Sequence, residues 1–175
     1  MARIAVIGIG NVLTGDDAVG PYVVKVLEAG WELPQEVELL DAGTPGLDLT
    51  AYLAGLEAVV IVDAIKARGA PGELRVYDKE ALLRKSPILA VSPHEPGVRE
   101  AILNADFMGV VPPTVRLVGV IPQSVELGCA LSPPVQAAVP QAVERVLAEL
   151  GALGATARPR VPPLVPDLWW ERKPA

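Results

Sequence analysis

The sequence predicts an α/β fold: a mostly parallel sheet covered by helices on both faces. Three observations predict it. Segments rich in β-branched residues alternate with segments of helical spacing from one end of the chain to the other. The apolar content, 51% of residues, is aliphatic, with aromatics only 4%, which suits strands buried on both faces. The length of 175 residues fits one domain with one sizeable core, and no repeat or linker divides it. The expected division is a single α/β domain over residues 1–154, followed by a tail over 155–175.

Residues 3–9, RIAVIGI, are β-branched and stop at Gly10-Asn11, which reads as a buried first strand. From Pro21 to Trp31 the apolar residues recur at helical spacing, with proline in the first turn, where its missing N–H is harmless. EVELLD (36–41) reads as the second strand, closed by the turn AGTPG, and LDLTAYLAGL returns as a helix. EAVVIVDA (57–64) is the strongest strand signal in the chain. After a turn at Gly69–Gly72, ELRVYD (73–78) reads as a lone or edge strand, and ILAVS (88–92) as a short one that ends in SPHEPG. VREAILNADFMG is an amphipathic helix, TVRLVGVIP (114–122) the last strand, and PPVQAAVPQAVERVLAEL the closing helix with Ser132 as N-cap. The tail holds Pro162-Pro163 and Trp169-Trp170 and is expected to be irregular.

Composition excludes several classes of function. The net charge is −6 and the lysines and arginines are scattered, so the surface would repel a phosphate backbone and nucleic acid is not an expected partner. One cysteine, Cys129, permits neither an internal disulfide nor a multi-cysteine zinc site, and it reads as a packing residue. Cysteine scarcity points to the cytoplasm. The apolar run after Met-Ala-Arg is short and soon meets Asn11, Asp16 and Asp17, unlike a signal peptide. No stretch is long and apolar enough for a membrane span. GIGNVL has Leu13 where a dinucleotide fingerprint needs glycine, and neither a P-loop nor a G-x-S-x-G elbow occurs.

In a parallel sheet, ligands gather beyond the carboxyl ends of the strands. Here the first strand leads to Asp16 and Asp17, the second ends in Asp41 before Gly43 and Thr44, the third ends at Asp63, and ILAVS leads to His94, the only histidine. Read singly, each has an ordinary role. Asp63 would cap a turn, His94 would be a loop residue, and one of Asp16 and Asp17 would cap the next helix. Together they place carboxylates and an imidazole on one rim if the sheet is parallel there. Carboxylate oxygens with one imidazole nitrogen form a mixed donor set able to hold nickel, zinc or a related divalent ion.

GIGNVLTGDDAVG, DAGTPGLDL, VDAIK, SPHEPG and VGVIPQSVELGCALSPPV follow one another here in an order that resembles the hydrogenase maturation proteases, the nickel-dependent endopeptidases, over about residues 3–150. The resemblance implies a three-layer α/β/α sandwich about a twisted, mostly parallel sheet. It also implies a cytoplasmic endopeptidase that removes the C-terminal extension of a [NiFe]-hydrogenase large-subunit precursor after nickel insertion. The metal-contacting and catalytic positions match Asp17, Asp63 and His94, with spacing to Gly20 favouring Asp17 over Asp16; Asp41 and Thr44 match substrate-binding positions. Nickel would come with the precursor, and other divalent metals would substitute. Aspartic-type and metal-assisted hydrolysis both stay open, as does the oligomeric state. Many relatives carry glutamate where Asp17 stands, which shortens the reach of that ligand by a methylene, and the Pro/Trp tail has no counterpart. The rival readings are another metal-dependent hydrolase on a similar fold and a non-enzymatic divalent-metal-binding protein.

Overall fold

The computed structural model describes residues 3–84, the backbone of 89–90, and 97–172. The sheet is built from β1 (Ile4–Gly8), β3 (Val37–Asp41), β4 (Ala58–Lys66), β5 (Leu74–Asp78) and β7 (Thr114–Val120), in spatial order β3-β1-β4-β7-β5. β1 pairs in parallel with β3 and β4, and β4 pairs in parallel with β7; β5 closes one edge antiparallel to β7. A two-residue strand, β6 (Leu89–Ala90), adds antiparallel to Ile65 and Lys66.

The pleat sorts the strand residues onto two cores. Val6, Val60, Val62, Ala64, Val118 and Val120 face one side, where they pack with α1 (Val19–Gly30) and α5 (Pro133–Ala152). Ala5, Ile7, Val59, Ile61, Ile65 and Leu117 face the other and meet α2 (Leu49–Leu53), α3 (Lys79–Leu83) and α4 (Val98–Phe107). These are the three expected layers. β4 is buried from Ala58 to Ile65 because it is central in the order and covered on both faces. Each such valine or isoleucine removed from water contributes roughly 1.5–3 kcal/mol.

Some boundaries differ from the sequence pattern for visible reasons. The first helix starts at Val19, two residues before Pro21, because a 3-10 turn over Gly15–Ala18 feeds it. β4 runs past Asp63 to Lys66, since β7 continues beside it up to the Ala64–Val120 pair and β6 pairs with Ile65 and Lys66. Ser132 is the N-cap of α5 but makes no capping bond; its hydroxyl is engaged elsewhere. Cys129 is exposed and not a packing residue, because residues 123–130 form an exposed loop.

The tail docks on the α1–α5 face. β2 (Trp31–Glu32) pairs antiparallel with β8 (Arg158–Pro159), and the N–H groups of Arg160 and Leu164 donate to the carbonyls of Gly30 and Ala29, at 2.8 and 2.9 Å. Trp170 is buried in the same core, its ring edge-on to Tyr22 with centroids 6.1 Å apart.

Candidate active site

The strand order reverses direction at β1. The chain leaves β1 for β3 on one side and then crosses to β4 on the other, and such a reversal opens a crevice at the carboxyl ends of the strands. Backbone hydrogen bonds close its floor. Ile9 N–H donates to Val62 C=O at 2.9 Å, Ala42 N–H to Gly8 C=O at 3.0 Å, and Gly10 N–H to Gly43 C=O at 2.8 Å. The carboxyl ends of β1, β3 and β4 are thereby lashed into one ledge.

Two glycines let the Gly15–Ala18 turn settle onto this ledge. A Cβ on Gly20 would collide with the carbonyl oxygens of Ile9 and Val62, and one on Gly10 with the Asp17 carbonyl. Gly10 also has a φ of 146°, which side chains rarely adopt. The spacing of Gly8, Gly10 and Gly20 in the sequence therefore encodes close backbone approach at the head of α1, and that approach sets Asp17 beside the end of β4.

The adjacent carboxylates of Asp16 and Asp17 take unlike roles. Asp16 is 1% exposed, and its two oxygens accept from Gln123 N–H (2.8 Å), Ser124 N–H (3.0 Å), Ser132 N–H (2.6 Å) and Ser132 Oγ–H (2.8 Å). It pins the loop after β7 and the start of α5 to the first turn. Asp17, 8% exposed, accepts from Asn11 N–H (2.8 Å) and Thr14 Oγ1–H (3.3 Å), both on Oδ2. Among the described residues its Oδ1 receives no hydrogen bond. Burial pushes the Asp17 carboxyl above its ordinary pKa, partly offset by those two donors. Neither side chain caps α1, whose N-cap is Ala18.

Asp63 lies on β4 opposite Gly119 and is 9% exposed. It shares its strand face with Ile61 and Ile65, toward α2 and α4. Asp41, half-buried, ends β3 opposite Gly8, and its Oδ1 accepts from Gly43 N–H at 3.1 Å, tightening the turn that carries exposed Thr44. Asp17, Asp41 and Asp63 thus come from three neighbouring chain segments at one rim. His94 lies outside the described residues; the described chain on either side of it is Ala90, paired with Ile65, and Gly97, the N-cap of α4. Among the described residues no three histidine, cysteine or acidic side chains cluster as a metal site.

Sequence reasoning missed the structural work of Asp16, because its partners lie 107–116 residues away and nothing local announces them. The Asx-like bond in which Leu13 N–H donates to Asn11 Oδ1, at 2.9 Å, orders the loop ahead of Asp17 and was legible only as a turn signal.

A family model described as hydrogenase maturation protease matches residues 21–149, a stretch that holds Asp41, Asp63 and His94 and begins just after Asp17. The chain is 39% identical to the hydrogenase 2 maturation protease of Escherichia coli K12, over 90% of this chain and 96% of that protein. It is 34% identical to the hydrogenase expression/formation protein HupD of Rhizobium leguminosarum, over 97% of this chain and 88% of that one. Among solved structures, the hydrogenase maturating endopeptidase HybD from E. coli superposes with a TM-score of 0.78 at 35% identity, covering 91% of this chain and 99% of that chain.

Proposed function

We propose how the reaction is carried out by a chain that belongs to the hydrogenase maturation protease family and is an endopeptidase removing the C-terminal extension of a hydrogenase large-subunit precursor. The substrate is a [NiFe]-hydrogenase precursor presented after nickel insertion, and its cleavage activates the hydrogenase. Nickel enters with the precursor, held by the precursor's own thiolates. It is the feature recognised, so an unloaded precursor is not processed.

Asp17, Asp63 and His94 are the groups that meet the metal. Two carboxylates and an imidazole suit nickel or zinc better than magnesium or calcium, and being few they bind well only when the substrate supplies further ligands. The observation that carries this assignment is the division of labour between neighbouring aspartates. Asp16 is saturated by four donors, whereas the Asp17 Oδ1 receives none among the described residues. With no donor on it among the described residues, the Asp17 Oδ1 is the oxygen of the pair left open to a cation.

Docking on these three residues sets the scissile peptide over the ledge formed by residues 8–10, 41–43 and 62–63. Asp41 and Thr44 face the peptide from the β3 side and orient it. Burial raises the proton affinity of the Asp17 carboxylate, so that in its charged form it also serves to take a proton from the attacking water. Bound nickel supplies polarisation of the peptide carbonyl or of that water. The reaction is placed in the cytoplasm on the strength of the single free cysteine; among the described residues no helix is long and apolar enough to cross a membrane.

The test is Asp63→Asn, which keeps the size and removes the charge. Processing of a nickel-loaded precursor, followed by the mobility shift on loss of the extension, is expected to fall by about two orders of magnitude or more. Cleavage at the normal rate would remove Asp63 from the site.

A further inference from the structure

Beside the rim described above, a cleft of about 430 Å³ opens between the end of β4 and the loop that follows β7. Its lining includes Ile65, Ala67, Pro71, Ile121, Pro122 and Val125, with Lys66 also along it. That volume lies in the range of pockets that enclose small apolar groups. We propose that this cleft binds apolar side chains of the precursor segment adjoining the scissile peptide, and so contributes substrate affinity separately from the metal contact. This rests on the function proposed above and deepens it.

Continuity with the site identifies the occupant. Ile65 follows Asp63 by two residues on the same strand and shares its face, which separates the two positions by ~7 Å. An extended peptide advances at the same rate per residue. When its scissile bond lies at Asp63, a side chain two residues along is therefore level with Ile65. The wall is also made rigid in advance. Ile121 exchanges backbone bonds with the turn before β5, receiving from Gly72 N–H (2.8 Å) and donating to Glu73 C=O (3.0 Å). Gln123 and Ser124, next to Val125, donate their N–H groups to Asp16. Val125 is 38% exposed, an apolar side chain at the mouth of the cleft, next to the two backbone groups tied to Asp16. Ile65 itself leans across Gly119, where any Cβ would strike it, so the floor keeps its shape. A wall fixed before binding loses little entropy when a peptide arrives.

Two substitutions test this with the full chain: Val125→Glu and Ala67→Glu, which place a carboxylate in the cleft while leaving the metal-contacting residues alone. The probe is the nickel-loaded large-subunit precursor from the same organism, with initial rates measured against its concentration. KM is expected to rise about tenfold or more, the usual consequence of spoiling one apolar subsite, with kcat at saturation changed by less than about threefold. Phe107→Ser, at the far end of α4 and 92% exposed, is the control and leaves both constants unchanged. Circular dichroism and melting temperature verify that each variant folds. Should Val125→Glu fail to fold, Val125→Ser replaces it, with a KM rise of about threefold expected. Folded variants that keep KM within about twofold of wild type overturn the cleft as a subsite. The function proposed above then still stands if wild type cleaves the precursor and Asp63→Asn does not. A wild-type chain unable to cleave the nickel-loaded precursor overturns both.

Discussion

Replacing Asp16 separates what that residue does from what its neighbour does. In Asp16→Ala four donors lose their acceptor: the N–H groups of Gln123, Ser124 and Ser132 and the Ser132 hydroxyl. Gln123 and Ser124 are exposed and regain water, so each loss is a net hydrogen bond, about 1 kcal/mol. Ser132 is half-buried at the head of α5, and its two bonds to a charged acceptor are worth nearer 1.5 kcal/mol apiece. The total is about 4–5 kcal/mol, a fall in melting temperature of roughly 8–20 °C for a domain of this size. Asp16→Asn is milder. An amide oxygen in the Oδ2 position keeps the three donors that meet it, but the NH2 then faces Ser132 N–H, which donates across 2.6 Å to Oδ1 in the native chain. One lost bond and two opposed donors amount to about 2–3 kcal/mol. Urea unfolding followed by circular dichroism, with calorimetry at the same pH, measures both variants. An Asp16→Ala melting temperature within about 3 °C of wild type, or an asparagine variant as unstable as the alanine one, would refute this account of the loop.

Asp17 is expected to behave in the opposite sense. Its folded pKa is raised, so the folded state binds the proton more readily than the unfolded chain, and stability falls as pH rises from the ordinary carboxylate range through the raised value. Asp17→Asn should therefore be at least as stable as wild type at pH 7, with the difference shrinking near pH 4, while processing of nickel-loaded precursor is lost. A variant less stable than wild type at pH 7 would contradict this; pH-dependent calorimetry decides. In the tail, Trp170→Ala should lower stability by about 3 kcal/mol through the cavity left against Tyr22. Trp170→Phe should alter it by less than about 1 kcal/mol, because the buried indole N–H has no partner among the described residues. Equal losses for the two would show that the indole nitrogen is bonded after all.

The layered α/β architecture was legible in the chain because its causes are local. Aliphatic runs such as AVVIVDAIK are too apolar to be anything but central strands, and the glycines at 8, 10 and 20 mark where backbone must approach backbone. The candidate aspartates were legible for the same reason: Asp63 interrupts an apolar run, and Asp41 closes one. The sequence alone left open which of two adjacent carboxylates is tied into the fold and where the proline-rich tail goes, and it misread exposed Cys129 as a packing residue. Each depends on groups far apart in the chain. Asp16 is occupied because the loop after β7 and the start of α5 deliver their donors to it, whereas among the described residues the donors to Asp17 come only from the loop just ahead of it. Trp170 is buried in the core shared by α1 and α5, where its ring meets Tyr22 of α1. Periodicity reports which face of an element is apolar; only tertiary structure brings in the distant donors that decide whether a given carboxylate is already satisfied or remains available for chemistry.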